Sequence, residues 1–512
     1  MNAGVRSQPH APGRVHPVDV AALRHLGLPL ADLTSDSRAV TPGMTFAAYP
    51  GAQADGRRFI PEAIGRGAAS VLWESDGFAW APEWNVPNQG IAGLRAQISG
   101  IAGQVYGEPS RHLWVVGVTG TNGKTSCTHW LAQLLEQAGK PCAVVGTLGN
   151  GLRLQLEPAL NTTPDAIALQ QALARYRAQG AVACAMEVSS HGLVQDRVAG
   201  IAFRGALFTN LSRDHLDYHG TLEAYGEAKA LLFDTAGLEF AAINLDDPFG
   251  MRLVERMKGT DPVSGSVPKT PKIIGYTLEG MQAPSGVSVL QARNLEISLQ
   301  GLHFQVAGEW GQAEVRAPLM GRFNVSNLLA VMAAALMSGM TLEQVCDGVA
   351  RLAAPAGRLQ RLGGGALPDV VIDYAHTPDA LEKALATLRE TVAPRRRLIC
   401  VFGCGGNRDP GKRPLMGEVA ARLADMVVLT SDNPRYESVD AILDEIAQGM
   451  DMPFQRIPER AEAIRHAIAS AQAGDVVLIA GKGHETTQEV AGQKLPFDDR
   501  DVAQHCLDEV RA

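Results

Sequence analysis

Apolar runs followed by amphipathic segments recur along most of this chain. The run at 113–118 contains only apolar residues and glycine, which is typical of a strand buried on both faces of a parallel sheet. Residues 125–138 place leucines on one helical face and are followed by Gly139, a common helix stop. Two more apolar runs, at 181–188 and 204–209, end in polar residues. This pattern predicts a parallel α/β domain with polar groups at its strand ends, where such sheets bind ligands.

The last third of the chain repeats the alternation of strands and helices. Strands are predicted at 370–374, 398–402, 426–430 and 476–480, and helices at 378–391, 415–424 and 439–449. Because helical crossovers join parallel strands, this region predicts a second parallel sheet.

Other segments have different patterns. Short apolar runs and turn signals within residues 1–110 predict a small α/β unit behind an irregular tail. Residues 261–272 are rich in Pro, Ser and Gly and predict a surface loop, residues 290–315 alternate like antiparallel strands, and residues 324–337 predict one very apolar helix. With about 100 to 200 residues per domain, a chain of 512 residues has room for about three domains. We expect an α/β protein with a small N-terminal α/β domain (1–110), a central P-loop domain with a parallel sheet that binds ATP (111–354) and a C-terminal Rossmann-like domain (355–512).

Composition excludes several classes of protein. The net charge is −8, from 46 Lys and Arg against 54 Asp and Glu, so no basic excess indicates a nucleic-acid partner. The longest strongly apolar stretch, 328–337, is half of the ~20 residues that span a bilayer, and residues 1–18 lack the hydrophobic centre of a secretory signal. Seven scattered cysteines are typical of reduced thiols. We therefore expect a cytoplasmic monomer without a membrane partner.

Residues 117–125, Gly-Val-Thr-Gly-Thr-Asn-Gly-Lys-Thr, lie between a predicted strand and a predicted helix. Glycines let backbone amides surround a phosphate, Lys124 can reach the terminal phosphates and Thr125 can hold Mg²⁺. The spacing departs from the strict P-loop pattern, because Val118 stands five residues before Gly123. A glycine-rich turn without a nucleotide is the alternative interpretation.

Three further side chains are candidates for chemistry near this loop. Glu187 ends a predicted strand, where a carboxylate would balance a nucleotide-bound cation; a capped or exposed glutamate is the alternative. His215 lies in the polar segment 213–217 and could ligate a metal or be structural. Lys229 shares a helical face with Tyr225, so its amine is either buried and perturbed or extends into water.

Several motifs resemble those of the Mur ligases, the family that builds the peptide of bacterial cell-wall precursors and is related to folylpolyglutamate synthetases. The matching stretches are 117–126, 186–191 (Met-Glu-Val-Ser-Ser-His), 214–217 (Asp-His-Leu-Asp), 373–378 (Asp-Tyr-Ala-His-Thr-Pro) and 432–435 (Asp-Asn-Pro-Arg). They are spread over almost the whole chain, and the set is most similar to the members that add the third peptide residue.

The resemblance implies an ATP-dependent, ADP-forming amide ligase of peptidoglycan precursor synthesis. It would add meso-2,6-diaminopimelate to UDP-N-acetylmuramoyl-L-alanyl-D-glutamate through an acyl phosphate, with Mg²⁺ as cofactor. The implied catalytic residues are Lys124, Glu187, His215 and Lys229. The implied metal ligands are Thr125, Glu187, His215 and Lys229, the last as a carbamate formed with CO₂.

The same resemblance implies three groups of binding residues. ATP would contact Gly120, Thr121, Asn122, Gly123, Lys124, Thr125, Ser126, Asn324, Arg358 and Asp373. The UDP-linked substrate would contact Ser35, Ser37, Ala52, Gln53, Ala54, Asn161, Thr162, Thr163, Ser189, Gln195 and Arg197. Diaminopimelate would contact Arg408, Asp432, Asn433, Pro434, Arg435, Gly481 and Glu485.

Arg408, Arg435 and Glu485 indicate which amine is used. A substrate with an α-carboxylate and a distal amino-acid centre needs guanidinium groups for its carboxylates and a carboxylate for its distal ammonium. A lysine-adding or folylpolyglutamate-type ligase is a second hypothesis, which Arg435 disfavours because lysine-adding relatives lack this arginine. A P-loop regulator or motor is a third hypothesis. ATP turnover without a carboxylate and an amine would support it, and Lys229 would then have no evident task.

Overall fold

The structure is a computed structural model that describes residues 18–51, 54–153, 155–159, 161–259, 271–393 and 395–511, apart from the side chain of Asp217. The predicted tail before residue 18, the candidate residues Ala52 and Gln53, and residues 261–270 of the predicted loop lie outside this part of the chain. Successive α/β sheets confirm the expected fold class.

The N-terminal sheet has four parallel strands in the order β1-β2-β3-β4. The strands are β1 (Leu33–Thr34), β2 (Thr45–Ala48), β3 (Ser70–Glu74) and β4 (Asn88–Ile91), and the helices are α1 (Val20–His25), α2 (Ile60–Gly65) and α3 (Leu94–Val105). Short 3-10 turns lie at Ser37–Ala39, Gly56–Phe59 and Pro109–Arg111. Aspartates at 36 and 55 cap the first two turns through their carboxylates, as expected of Asp at an N-cap.

The central sheet has eleven strands in the order β15-β14-β13-β12-β11-β10-β5-β9-β6-β7-β8. Their bounds are β5 (Trp114–Thr119), β6 (Cys142–Gly146), β7 (Gly149–Leu152), β8 (Gln155–Glu157), β9 (Ala183–Glu187), β10 (Gly205–Phe208), β11 (Phe240–Asn244), β12 (Lys272–Thr277), β13 (Ser288–Ser298), β14 (Gly301–Gly308) and β15 (Gly311–Ala317). Strands β6 and β9 to β13 run parallel with β5. At the edges, β7, β8, β14 and β15 each pair antiparallel with the preceding strand in the chain. The order reverses around β5, and a ligand site is expected at such a point.

Helices cover both faces of this sheet. They are α4 (Lys124–Gln137), α5 (Ala166–Ala178), α6 (Ser190–Val194), α7 (Leu216–His219), α8 (Leu222–Ala230), α9 (Pro248–Gly259), α10 (Arg322–Met337) and α11 (Leu342–Val349). Helix α10 is apolar around its circumference and is buried from residue 327 to residue 336, because it packs between α4 and strands β10 to β13. The helix therefore anchors α4, and with it the loop before α4.

The C-terminal sheet has the order β16-β17-β21-β18-β19-β20. The strands are β16 (Gln360–Gly363), β17 (Asp369–Asp373), β18 (Leu398–Phe402), β19 (Met426–Leu429), β20 (Gln455–Arg456) and β21 (Val476–Ala480), and β22 (Thr487–Val490) and β23 (Gln493–Pro496) form a separate hairpin. The helices are α12 (Pro378–Thr391), α13 (Lys412–Leu423), α14 (Val439–Ala447), α15 (Arg460–Ser470) and α16 (Asp499–Arg511). All strands of the sheet are parallel except β16.

Most predicted elements lie within one or two residues of the observed ones, with two corrections. The predicted loop at 261–272 extends too far, because Lys272 already begins β12. The helix predicted at 415–424 begins earlier, at Lys412, because Arg413 and Pro414 occupy its first turn, where proline is tolerated. Strands β6, β11 and β12 were not predicted. Within the described residues, no helix is long and apolar enough to cross a membrane.

Candidate active site

The loop between β5 and α4 has the backbone of an anion-binding site. Gly120 and Gly123 have φ angles of +146° and +89°, and a side chain at Gly123 would overlap the amide of Asn327. Asn210, which follows β10, fixes the loop from outside through two hydrogen bonds. Thr121 N donates to Asn210 O at 2.8 Å, and Asn122 N donates to Asn210 Oδ1 at 3.0 Å. With the loop fixed and α4 beginning directly after it, the backbone N–H groups can receive a phosphate.

Lys124 folds back across this loop. Its Nζ donates to Gly120 O and Thr121 O, both at 2.9 Å. Burial lowers the pKa of Lys124, and the carboxylates of Glu187 and Asp214 act in the opposite direction. The ammonium therefore lies where it can meet the terminal phosphates of a nucleotide.

Glu187 is the polar end of β9 and faces the loop from the neighbouring strand. The residue is 1% exposed, and its Oε1 accepts from Thr125 Oγ1 at 3.0 Å and from Thr147 N at 2.9 Å. Gly146 leaves the space that this carboxylate occupies, because a Cβ there would overlap Oε1. A hydroxyl and a buried carboxylate form a set of hard oxygen donors that fits Mg²⁺. Thr125 and Glu187 are thus together, as the sequence predicts.

Lys229 does not extend into water, so that alternative interpretation is wrong. The residue is 1% exposed, its Nζ donates to Gly120 O at 2.9 Å, and it lies 4.1 Å from the centroid of the Tyr225 ring. Burial, and then the positive charge of Lys124, holds the pKa of Lys229 well below its usual value. Loss of a proton is therefore easier for this amine than for an exposed lysine, and an amine that has lost its proton is nucleophilic.

His215 lies in an aromatic cluster next to Lys229. Its ring centroid is 4.9 Å from that of His191 and 6.0 Å from that of Tyr225. The His215 side chain is 48% exposed and contacts Asp214 at 3.5 Å. Among the described residues, no three His, Cys, Asp or Glu side chains form a metal-binding group. The structure therefore brings His215 to the Lys229 region but does not join it to Glu187 in such a group.

The C-terminal domain approaches the phosphate loop through Arg358. Its guanidinium carbon lies 5.2 Å from the centroid of the Tyr374 ring, and its charge acts on both Lys124 and Asp373. Asp373 ends β17 and accepts from Leu359 N at 2.8 Å; burial raises the pKa of Asp373, while Arg358 opposes the rise. Two predicted ATP residues of the C-terminal domain are therefore side by side near the loop.

The other predicted ATP residues also meet there. Asn324, in the first turn of α10, accepts a hydrogen bond at 3.0 Å from the amide of Asn327, the side chain that occupies the space beside Gly123. Ser126 is buried in the first turn of α4. The predicted ATP residues thus converge from α4, α10 and β17.

A cleft of about 160 Å³ opens where the N-terminal and central domains meet. It is lined by Tyr49, Gly51, Arg95, Ile98, Asp165, Ala166, Gln195 and Arg197. The guanidinium of Arg197 donates to Gln195 Oε1 at 3.0 and 2.6 Å and to Thr163 O at 2.6 Å. Burial lowers the pKa of Arg197, and Asp165 opposes this. Gln195 and Arg197, both predicted to contact the UDP-linked substrate, therefore form one wall of a real cleft.

Hydrogen bonds connect this cleft with Glu187. Thr163 Oγ1 donates to Glu187 O at 2.9 Å and accepts from Ser189 N at 3.0 Å. Thr162 Oγ1 lies 3.1 Å from Thr147 Oγ1, and Thr147 in turn donates to Glu187 Oε2 at 3.3 Å. Three of the predicted substrate residues thus lie between the cleft and the candidate metal site.

The remaining residues predicted to contact the UDP-linked substrate differ in position and exposure. Ser35 lies next to the Tyr49 side chain at the cleft, where burial raises the pKa of Tyr49 and Ser35 opposes the rise. Ser37 is buried and donates to Glu62 Oε2 at 3.0 Å, so its hydroxyl is engaged inside the N-terminal domain. Ala54 and Asn161 are exposed, and the carbonyl of Ala54 accepts from Gly51 N at 2.8 Å.

A second cluster of polar side chains lies at the carboxyl ends of β18, β19 and β21. Asn433 Nδ2 donates to Glu485 Oε2 at 2.8 Å, and Arg435 Nη1 donates to Gly406 O at 2.8 Å while its Nε donates to Glu489 Oε2 at 3.1 Å. Arg408 is exposed. Both Arg408 and Arg435 flank the Cα of Gly405.

The other residues predicted to contact diaminopimelate follow the same strand ends. Pro434 lies between Asn433 and Arg435. Gly481 has a φ of +116° and leaves room for the carboxylate of Asp432. Burial raises the pKa of Asp432, and Arg460 and Lys482 oppose the rise. All predicted residues of the amino-acid site are therefore at one edge of the sheet.

Aromatic side chains connect the two sites. The Tyr374 ring, which lies beside Arg358, is 5.0 Å from the ring of His484, and His484 precedes Glu485. The charges of Arg358, Glu485 and Arg408 all act on the Tyr374 hydroxyl. Arg358, Tyr374 and His484 thus lie between the phosphate loop and Glu485, at the junction of the central and C-terminal domains.

Family models match three successive parts of the chain. These are the "Mur ligase family, catalytic domain" at residues 30–99, the "Mur ligase middle domain" at 118–335 and the "Mur ligase, glutamate ligase domain" at 357–483. The chain belongs to the Mur ligase family. Membership makes it a ligase, and it confirms the resemblance given by the sequence motifs.

Curated relatives of this Mur ligase are similar over nearly their whole length. A protein of Chromobacterium violaceum is 51% identical over 492 residues, which is 96% of each chain. A protein of Nitrosomonas europaea is 46% identical over 500 residues, 95% of this chain and 94% of the relative. Both relatives are named UDP-N-acetylmuramoyl-L-alanyl-D-glutamate--2,6-diaminopimelate ligase.

Solved structures agree with this. A UDP-N-acetylmuramoyl-L-alanyl-D-glutamate--2,6-diaminopimelate ligase is 39% identical and matches this Mur ligase with a TM-score of 0.71, over 94% of this chain and 95% of the other. The MurF ligase of Thermotoga maritima in complex with ADP is 17% identical with a TM-score of 0.58, over 95% of this chain and 99% of the other. That likeness shows the fold.

Sequence reasoning missed several polar residues of the site. Thr147 follows the unpredicted strand β6, and the apolar run before it is the signal that could have found it. Tyr49, Arg95 and Asp165 line the cleft but come from three separate segments, so no local motif marks them. Lys482 lies between the predicted residues Gly481 and Glu485 but is not among the predicted residues itself, although it is buried beside Glu485.

Proposed function

We propose that this chain joins meso-2,6-diaminopimelate to the D-glutamate carboxylate of UDP-N-acetylmuramoyl-L-alanyl-D-glutamate, with hydrolysis of ATP to ADP and phosphate, as a step in peptidoglycan precursor synthesis. The observation that carries the proposal is a cluster of polar side chains with Asn433, Arg435 and Glu485 at the strand ends, which Tyr374 and Arg358 connect to the surroundings of the phosphate loop. The names of relatives that are 46% to 51% identical support the same substrates.

The three substrates would occupy three neighbouring sites. ATP would bind the loop 120–126, with Arg358 and Asp373 contacting it from the C-terminal domain. The UDP-linked dipeptide would enter the cleft walled by Gln195 and Arg197, with its glutamate carboxylate directed along Thr162 and Thr163 toward Glu187. Arg408 and Arg435 would bind the carboxylates of diaminopimelate, and Glu485 its distal ammonium.

The reaction would proceed in two steps. The substrate carboxylate attacks the γ-phosphorus of ATP, so an acyl phosphate forms and ADP leaves. The free amine of diaminopimelate then attacks the acyl carbon, and the tetrahedral intermediate collapses to the amide with release of phosphate and a proton. Lys124 would neutralise charge on the transferred phosphoryl group, and the surrounding residues would position the reactants and exclude water.

Mg²⁺ would be held by Thr125 and Glu187, where the hard oxygen donors fit it, with His215 and a carbamate on Lys229 as further candidates. A bound Mg²⁺ would supply charge stabilisation for the phosphoryl group. Lys229 supports carbamylation because its buried amine has a lowered pKa: the neutral amine adds to CO₂, a C–N bond forms and one proton is released. The resulting carboxylate would offset the charge of Lys124.

We further propose that the enzyme is monomeric and cytoplasmic, which agrees with its free cysteines.

Phosphate release tests the proposal. The full chain is assayed with ATP, Mg²⁺ and the UDP-linked dipeptide, and with meso-diaminopimelate, L-lysine or D-glutamate as the third component. We expect turnover with diaminopimelate that exceeds turnover with L-lysine by at least about 100-fold, because Arg435 and Arg408 would lack one carboxylate partner with lysine. Preference for L-lysine would replace the proposal with a lysine-adding ligase. Equal ATP hydrolysis without acceptor substrates would replace it with a P-loop regulator or motor.

A further inference from the structure

Lys482 is a buried cation next to the proposed amino-acid pocket. Its side chain has 0% exposure, and a buried ammonium is costly unless each of its three N–H groups finds an acceptor. The structure provides three: Asn433 Oδ1 at 3.1 Å, Glu485 Oε2 at 3.0 Å and Thr487 O at 2.6 Å. Because all three N–H groups are used and the side chain is buried, Lys482 contacts neighbouring protein groups and has no N–H group left for a substrate.

The first effect of Lys482 is on the orientation of the Asn433 amide. Asn433 Oδ1 accepts from Lys482 and also from Glu489 N at 2.9 Å. An ammonium and a backbone N–H can only donate, so the atom between them must be the amide oxygen. The amide nitrogen is thereby directed to Glu485 Oε2, at 2.8 Å.

The second effect is on Glu485. Its Oε2 accepts from both Lys482 and Asn433, while its side chain keeps 31% exposure. Partial burial acts to raise the pKa of Glu485, but the Lys482 ammonium and hydrogen bonds from Asn433 and Lys482 outweigh it, so the pKa lies below its usual value. Asn433, Glu485 and Lys482 thus form a closed triangle in which one carboxylate oxygen is held.

We propose that Lys482 is a positioning residue for the amino-acid substrate: it holds Asn433 and the ionised Glu485 in the geometry that accepts a distal ammonium group. This inference rests on the proposed function. Without Lys482, the Glu485 carboxylate would lose its counter-ion and one fixed oxygen, and the Asn433 amide would lose the contact that orients it. The loss would fall on the amino-acid substrate, because ATP and the UDP-linked dipeptide bind at other sites.

Steady-state kinetics of Lys482→Met test this inference in the full-length enzyme. Methionine keeps the length and apolar stem of the side chain and removes the charge. We expect the KM for diaminopimelate to rise about 10-fold or more, while the KM values for ATP and the UDP-linked dipeptide stay within about 2-fold. Lys383→Met is the matched control, because Lys383 is an exposed lysine of the same domain, paired with Asp379 on α12. The unfolding midpoint is measured for each variant, and Lys482→Gln takes the place of Lys482→Met if the latter is not recovered folded.

A double-mutant cycle with Glu485→Gln separates positioning from general stability. If Lys482 acts through Glu485, adding Lys482→Met to Glu485→Gln changes the KM for diaminopimelate by less than about 2-fold. Independent, multiplying effects would overturn the inference, and so would an unchanged KM for diaminopimelate in folded Lys482→Met. The proposed function is judged separately, by whether the wild type and Lys383→Met turn over diaminopimelate at all.

Discussion

Replacing Arg435 with alanine tests the assignment of the amino-acid pocket. Arg435 is 22% exposed and is held by Gly406 O and Glu489 Oε2 at 2.8 and 3.1 Å, so its guanidinium is pre-oriented beside Gly405. Its φ of +51° is equally unfavourable for arginine and alanine, and the substitution adds no backbone strain. The expected loss therefore comes from the substrate carboxylate that would be left without a partner.

The magnitude follows from the burial of that ion pair. Removing one partner of a buried, hydrogen-bonded charge pair costs about 2 to 5 kcal/mol, and the partial exposure of Arg435 places this case near the middle of the range, at about 3 kcal/mol. At about 1.36 kcal/mol per factor of ten, kcat/KM for diaminopimelate should fall roughly 150-fold. The KM for ATP should stay within about 2-fold, because Arg435 is not among the residues of the phosphate loop.

Phosphate release at varied diaminopimelate and varied ATP measures both constants. Arg422→Ala is the matched control: Arg422 pairs with Glu382 at 2.7 Å on the surface of the same domain, and both side chains are about half exposed, so its loss should change either constant by less than about 2-fold. Diaminopimelate kinetics of Arg435→Ala within about 3-fold of the wild type would refute the assignment. Equal losses for diaminopimelate and ATP, with a lowered unfolding midpoint, would also refute the assignment, because they would show that Arg435 has a structural role.

Two further predictions concern the nucleotide site, and a third concerns the buried His129 of α4. Gly123→Ala should raise the KM for ATP about tenfold or more, because the added Cβ would overlap the Asn327 amide. The control is Gly139→Ala, since Gly139 also has a positive φ, +73°, but has open space around it. This control should leave the KM for ATP unchanged, which separates the effect of the overlap from that of backbone strain. Lys229→Met should abolish ligation, and nuclear magnetic resonance with isotopically labelled bicarbonate should detect a carbamate in the wild type that the variant lacks; an active wild type with a bare amine would contradict this. Burial lowers the pKa of His129 from 6.5 to about 4 in the folded protein. Between pH 6.5 and about pH 4, the unfolded chain therefore binds a proton at His129 that the folded protein does not bind. The folded state loses stability as the pH falls through that range. The free energy of unfolding should therefore drop by about 2.5 kcal/mol more in the wild type than in His129→Gln between pH 7 and about pH 4.5, measured by urea denaturation; equal drops would contradict the sign.

Local patterns were sufficient for much of the architecture. The strand at 113–118, the glycine-rich loop and the following helix are encoded in neighbouring residues, and the structure has them within one residue as β5 and α4. The strands missed by sequence reasoning, such as β6 and β11, are five residues long and fully buried. A short apolar run of this kind has no periodicity that separates a strand from a piece of buried helix.

The charge state of Lys229 illustrates what local sequence leaves open. Periodicity places its side chain on the face of Tyr225, but either burial or extension into water agrees with that pattern. The decision comes from Gly120, 109 residues earlier in the chain, whose carbonyl accepts a hydrogen bond from Lys229 Nζ inside the folded domain. Desolvation and the nearby charge of Lys124 follow from that long-range contact.

Sequence alone determined the fold class, the phosphate loop and the family. Each of these depends on residues that are close together in the chain, in patterns that occur in few other structural contexts. Tertiary structure alone decided which distant groups share a site: that Thr147 donates to Glu187, that Tyr49 and Arg197 line one cleft, and that Lys482 is enclosed by Asn433 and Glu485. The physical reason is that hydrogen bonds, desolvation and charge depend on distance in space. The spacing of residues along the chain does not contain that distance until the sheets have formed.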